Sequence, residues 1–314
     1  MDSLTYSLNA TVPVFLTIFI GYILKRCGML NDAFVSASNK FNFKVTLPAM
    51  LFLDLAATDI YNNFDIKYVL FCAAATVIIF FGIWGGARLF IKDKSIIGEF
   101  VQASYRSSAA ILGVAFILNI YGTSGMAPIM IIGCVPLFNI FAVIVLTVEG
   151  NAKNGASAIK QSFISIIKNP IIISILLGVT ASLINFRLPV ILDKTAHNFS
   201  VMASPLALVA IGAGFEGKKA IAKIKPTIAA ALIKTMLLPA IFLPIAIKLG
   251  FRDQQLVALI IMLGSPATPS GYIMAKNMNH DGVLSSSVLV TTTLLASFTI
   301  TLWIFLARFG GYIA

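Results

Sequence analysis

Ten apolar runs, each about twenty residues long and parted by short polar breaks, cover nearly all of this chain, and nothing constrains its fold more. A helix rises about 1.5 Å per residue, so roughly 20 residues cross a hydrocarbon layer about 30 Å thick. The runs lie near 9–26, 34–57, 68–90, 98–120, 126–148, 163–184, 189–213, 226–249, 254–278 and 283–308. Lipid offers backbone amides and carbonyls no water to bond, so each run is read as a helix. Of the 314 residues 59% are hydrophobic and 11% charged, too little charge to cover a soluble fold of this size. The fold class expected is an all-α polytopic membrane protein with ten transmembrane helices.

The opening "MDSLTYSLNATVPVFLTIFIGYILKRCG" has Asp2 and no basic residue before its apolar run, and Lys25 and Arg26 after it. That order is the reverse of a cleavable signal peptide, so the first span is expected to stay, with its N-terminus outside. Counted in this orientation, the inner segments carry 13 Lys and Arg and the outer ones 6. The positive-inside rule then places the chain in the cell (cytoplasmic) membrane as a multi-pass protein with both termini extracytoplasmic. The formal charge of +11 is read as an orientation signal plus attraction to anionic lipid, and no nucleic acid is needed as a partner. Cys27, Cys72 and Cys134 are scattered without metal-ligand spacing and read as small apolar residues, so neither a metal nor a cofactor is expected. His197 and His280, near span ends and without metal-like companions, read as solvated or capping residues.

The segment "EGNAKNGASAIKQS" (149–162) is polar, small-residue-rich and central, which reads as a cytoplasmic linker between two five-helix repeats at 1–148 and 163–314. Shifting the chain by half its length, 157 residues, pairs Pro13 with Pro170, Gly21 with Gly178, Pro48 with Pro205 and Asp59 with Glu216. With five spans in each half, the second half enters the membrane from the opposite side, so the repeat is inverted. Inverted repeats are a transporter device: a site forms at the midplane and rocking exposes it to each side in turn.

The run "IIMLGSPATPSGYIMAKN" (260–277) sets Pro266, Pro269 and Gly271 within apolar sequence. Neither proline can donate a backbone hydrogen bond, and each ring clashes with the preceding turn, so span nine is expected to open between Gly264 and Gly271. Such a break survives in lipid only where protein buries it or a wet cavity lies against it. Ser265, Pro266, Thr268, Pro269 and Ser270 are therefore candidate substrate-binding residues; the plainer reading is a proline kink. Span four, "GEFVQASYRSSAAILGVAFILNIYG" (98–122), carries Arg106, Ser107, Ser108 and Gly113 in apolar context. An arginine at a helix centre costs at least about 2.5 kcal/mol, which makes Arg106 a functional candidate. Its plainer reading is a guanidinium that reaches the inner surface beside Glu99.

The segments "FIGYILKRCGMLNDAFVSASNKFNFKVTLPAMLF" (19–52), "IKNPIIISILLGV" (167–179), "SPLALVAIGAGF" (204–215) and "SPATPSGYIMAKNMNHD" (265–281) resemble the auxin efflux carrier family in its bacterial branch, which includes malate and malonate permease-like transporters. The resemblance covers nearly the whole chain. It implies a ten-span, two-repeat fold with crossed, broken helices four and nine, and organic anions such as malate, malonate or auxin-like acids as substrates. Pro266 falls on the family's crossover proline. Span four departs from the pattern: Ser108 and then Gly113-Val114-Ala115 stand where the family commonly has an asparagine followed by Gly-x-Pro.

Lys234, inside span eight, reads either as a counter-charge for an anion or proton-linked switch in the cavity, or as a lysine that snorkels. Asn42, with Ser38 and Lys44, forms a polar stripe running to Pro48 that either lines an inner vestibule or starts a helix. The acids Asp54, Asp59, Glu99 and Glu216 all read as near-terminal in their spans. A cation exchanger built on buried carboxylates is therefore disfavoured, and Arg106 and Lys234 favour an anionic substrate. The function expected is a secondary transporter of small organic anions (carboxylates) working by alternating access, with its site where helices four and nine cross. The alternative is a cation/proton exchanger or sodium-coupled symporter on a related inverted-repeat fold. An enzyme is not expected, since no H-E-x-x-H or paired catalytic acid is present. The partners expected are a small organic anion and membrane lipid; a homodimer is left open.

Overall fold

A computed structural model describes residue 13, residues 16–57, 65–109, 126–150, 164, 167–215 and 217–313, and every regular element among them is helical. In chain order these are α1 (16–26), α2 (Asp32–Phe41), α3 (Leu47–Ala56), α4 (Ile66–Phe90), α5 (Ile97–Tyr105), α6 (Ala127–Gly150), α7 (Pro170–Leu183), α8 (Val190–Ala213), α9 (Gly217–Ala222), α10 (Ile224–Leu232), α11 (Leu238–Lys248), α12 (Asp253–Gly264), α13 (Pro269–Asn277) and α14 (Val283–Phe309). Five helical stretches are long and apolar enough to cross a membrane: Ile66–Phe90, Ile129–Gly150, Val190–Ala213, Ile224–Lys248 and Asp253–Asn277. The last helix makes a sixth, bent by 42° between Val283–Ala296 and Phe298–Phe309. The expected linker lies outside the described residues apart from Glu149 and Gly150, which end α6.

Local chemistry sets the helix starts. Asn31 accepts from Phe34 N–H at 2.8 Å, Asp65 from Tyr68 N–H at 3.1 Å and Asn169 from Ile171 N–H at 2.9 Å, so α2, α4 and α7 each begin at a side-chain cap. Proline shapes two spans from within. Pro48 and Pro239 each sit one residue into a helix and follow a π turn, Asn42–Thr46 before α3 and Ile233–Leu237 before α11. A proline cannot satisfy the carbonyl four residues back, and a local π turn is one way to absorb that mismatch. The carbonyl that Pro239 leaves open is that of Thr235, and Trp303 Nε1 donates to it at 3.0 Å from α14.

The span made by α12 and α13 runs through the centre of the bundle. Every residue from Leu256 to Gly264 is buried, as is Ser270 to Ala275. By contrast α4 turns Ile78, Phe81, Leu89 and Phe90 outward, as a lipid-facing helix does. Around the centre, α3 packs on α7 and α8, α4 and α5 on α6, and α10 on α14. The contact of α7 on α3, and a further one of α1 on α8, are backbone on backbone and require glycine. A methyl group on Gly21 would lie 2.4 Å from Val209 O, and one on Gly178 would lie 2.9 Å from Phe52 O.

Candidate functional site

Both spans expected to break are interrupted where they touch. α12 ends at Gly264, residues 265–268 are non-helical, and α13 restarts with Pro269 in its first turn. α5 ends at Tyr105, and residues 106–108 are non-helical, with Arg106 at φ −77°, ψ 129°. This second break forms without a proline. Ser108 N–H donates to Pro266 O at 2.9 Å, which ties the two interruptions together.

Side chains from three spans bond the backbone at and beside the breaks. Pro266 has no N–H for Met262 O, and Ser107 Oγ donates to that carbonyl instead. Ala267 N–H turns away to Thr292 Oγ1 at 3.0 Å, and Lys234 Nζ donates to Leu263 O at 3.1 Å. Gln102 Nε2 donates to Gly271 O at 2.8 Å and to Ser285 Oγ at 3.0 Å, holding α13 between α5 and α14. Burial of every such group in protein is the condition under which lipid tolerates an open backbone.

A cavity lies against this meeting point. Arg106, Ser107 and Ser108 line it from the first break, and Thr268, Pro269 and Ser270 from the second. Arg106 is 4% exposed, and its guanidinium donates to Asn139 Oδ1 at 2.5 Å, Ser270 Oγ at 2.8 Å and Met274 Sδ at 2.9 Å. All three partners are neutral, so a full positive charge stands at the cavity wall, and it does not run to the surface beside Glu99. Thr268 Oγ1 and Ser270 Oγ lie 2.8 Å apart at the start of α13, whose amide end carries the positive pole of the helix dipole.

The other sequence candidates are placed elsewhere. Pro266 is at the break but not on the cavity wall, and Ser265 is buried with no partner for its Oγ among the described residues. Asn42 sits in the π turn, where its Oδ1 accepts from Thr46 at 2.6 Å. Lys234 is 0% exposed, bonded to Tyr105 O, Ser107 Oγ and Leu263 O, and does not line the cavity. Gly113 lies outside the described residues.

Three polar wall residues were not among the site candidates read from the sequence: Asn139, Ser204 and Asp54. Asn139 is an amide inside the apolar run of α6, which is itself a signal. Asp54 lies near the end of α3, as read, yet it shares the cavity with Arg106 and also borders a wider vestibule with Arg187, Asp193 and His197. Glu99 lies in the first turn of α5, as read, but is enclosed: it is 1% exposed and accepts from Gly282 N–H at 3.1 Å and Ser285 N–H at 2.8 Å, capping the first turn of α14. Asp59 and Glu216 lie outside the described residues.

A bundle of apolar helices whose interrupted spans meet beside a small polar cavity has the architecture of a membrane transporter. The chain belongs to the membrane transport protein family, of auxin efflux carrier-like proteins, whose family model matches residues 6–304; it is a multi-pass membrane protein of the transporter class. It is 24% identical to "Uncharacterized transporter YfdV" of Escherichia coli (strain K12) over 97% of this chain and 99% of that protein. It is 22% identical to the "Putative malonate transporter" of Rhizobium meliloti (strain 1021), covering 96% of this chain and 95% of the relative. An "Uncharacterized transporter" of Methanothermobacter thermautotrophicus is 20% identical over 95% of this chain and 97% of its own length.

Proposed function

We propose that this protein is a secondary carrier of small organic anions bearing carboxylates, which it moves across the cell membrane by alternating access. The observation that carries the reading is Arg106: a buried guanidinium with neutral partners, facing a cavity that the amide end of α13 also faces. A planar two-donor fork and a helix N-terminus both suit a carboxylate. The relative named as a malonate transporter points to the same class of substrate.

The mechanism proposed needs two five-helix halves, 1–148 and 163–314, related by an inverted repeat and joined by a cytoplasmic linker at 149–162. Two contacts support that symmetry. Gly21 meets the backbone of Val209, and Gly178 meets the backbone of Phe52. Gly21 and Gly178 stand 157 residues apart, and so do Phe52 and Val209. Equivalent first and second spans of each half thus exchange the same close contact, as two halves related by a pseudo-twofold axis do. Both termini are proposed to be extracytoplasmic. A single-cysteine label introduced at Ser157 should react with an impermeant reagent only from the inside; reaction from outside intact cells refutes the orientation.

The second reading, a cation/proton exchanger or sodium-coupled symporter, draws its support from Asp54 on the cavity wall. Purified protein in vesicles separates the two. Uptake of radiolabelled malonate or malate, competed by unlabelled dicarboxylates, is the outcome expected. Sodium or proton flux with no carboxylate uptake refutes the anion reading.

A further inference from the structure

The meeting point has a second pole, away from the cavity. α5 stops at Tyr105 and α12 at Gly264, and the carbonyls of a helix's last turn have no amide ahead of them and carry its negative dipole end. The two ends converge on Lys234 Nζ, which lies 3.3 Å from Tyr105 O and 3.1 Å from Leu263 O, with Ser107 Oγ as a third partner. Ser107 gives its own proton to Met262 O, so toward Lys234 its oxygen can only accept. Three acceptors face the nitrogen. A neutral amine has two hydrogens and an ammonium three, so the charged form is the one that satisfies all of them. The side chain is fully enclosed and reaches neither surface.

Carbonyls at unwound helix ends are the donors with which secondary transporters hold a coupling sodium ion. We infer that the Lys234 ammonium is a tethered substitute for such an ion: it neutralises the two converging carbonyl ends permanently, so the carrier requires no sodium there. The inference goes beyond the anion reading and rests on it only where transport is measured. Its stability arm holds whatever the substrate is.

The test compares the parent with Lys234→Ala and Lys234→Met in detergent and in vesicles. Parental melting temperature and dicarboxylate uptake should be the same in sodium and in choline. Lys234→Ala opens the site, so its melting temperature should fall in choline and rise with added sodium or methylammonium, and its uptake, down about tenfold or more, should recover in either cation. Lys234→Met fills the space without charge and should transport poorly in every salt. Three results each overturn the inference: sodium-dependent stability or uptake in the parent, a folded Lys234→Ala indifferent to both cations, or parental uptake by Lys234→Met. Where neither variant can be purified, the parental arm decides. If no carboxylate is transported at all, the cation-dependent melting of Lys234→Ala still decides, apart from the anion reading.

Discussion

Replacing Pro266 and Pro269 together by alanine tests whether the interruption of the central span is the working part of the site. Alanine is favoured over proline inside a helix by about 3 kcal/mol, so the double exchange favours an unbroken span by about 6 kcal/mol. Four hydrogen bonds exist only in the broken form: Ser108 N–H to Pro266 O, Ala267 N–H to Thr292 Oγ1, Ser107 Oγ to Met262 O and Lys234 Nζ to Leu263 O. At about 1 kcal/mol for each neutral bond and about 2 for the charged one, they oppose closure by about 5 kcal/mol.

The terms nearly cancel for the double variant and leave the break favoured by about 2 kcal/mol in either single one. Each single variant should therefore transport well, and the pair should lose transport far more than the singles combined. Folding should survive, because a continuous helix satisfies its own backbone. The assay is vesicle uptake on monodisperse protein, with hydrogen exchange at the new amides of positions 266 and 269 as the report of closure. Parental uptake by the double variant refutes the reasoning, as does a single variant that loses as much as the pair.

Arg106→Lys keeps the charge but loses the fork, so dicarboxylate affinity should drop about 10- to 100-fold, equivalent to about 1.5–3 kcal/mol; unchanged affinity by calorimetry removes Arg106 from the site. Gly21→Ala and Gly178→Ala should each destabilise by about 1–3 kcal/mol in denaturant titrations, since the added methyl meets backbone that cannot swing away; a neutral effect at either refutes the close contact. In the loop before α14, burial pushes the Asp281 carboxyl up, but the hydrogen bonds from Lys223 and Val283 N–H outweigh it and hold it below its usual value. A depressed value stabilises the fold above about pH 4 and is lost as pH falls through it, so Asp281→Asn should remove part of the acid loss of melting temperature. The ion pair is half open to water and contributes about 0.2–1 kcal/mol; identical acid profiles refute the assignment.

Local chemistry made one break legible and hid the other. Pro266 and Pro269 forbid two specific hydrogen bonds, so the opening of the central span follows from sequence alone. The break after Tyr105 has no such cause within its own span. It is held by Pro266 O, Ser270 and Met274, 158 to 168 residues away along the chain, and no local pattern reports such contacts. Arg106 was legible because a charge in an apolar run is costly wherever it lands. Lys234 looked like the same signal, yet its direction is set by the π turn ahead of Pro239, which aims it at carbonyls rather than the cavity. Asp54 and Glu99 do lie near helix ends as read, but place along a span says little about depth once a cavity enters from one side and a neighbouring helix end needs a cap.

Asp54 gives the two readings of the cavity opposite signs. Arg106 and the amide end of α13 raise the potential there, while Lys234 cancels the carbonyl ends on the far side, so the field in the cavity is positive apart from Asp54. A carboxylate on the wall repels a bound dicarboxylate. At a separation of about 8 Å and an effective dielectric of about 20, each unit of charge on the ligand costs about 2 kcal/mol, or roughly 30-fold in affinity. Asp54→Asn removes that charge, and its amide oxygen can still accept hydrogen bonds. If the cavity holds an anion, the variant should bind dicarboxylate more tightly, and the gain should shrink as salt rises. If it holds a cation, the same variant should lose its ligand, because the carboxylate would be the group that binds it. Calorimetry of malonate and of sodium on parent and variant reads both signs in one experiment, and weaker malonate binding by a folded Asp54→Asn would refute the anion assignment for this cavity.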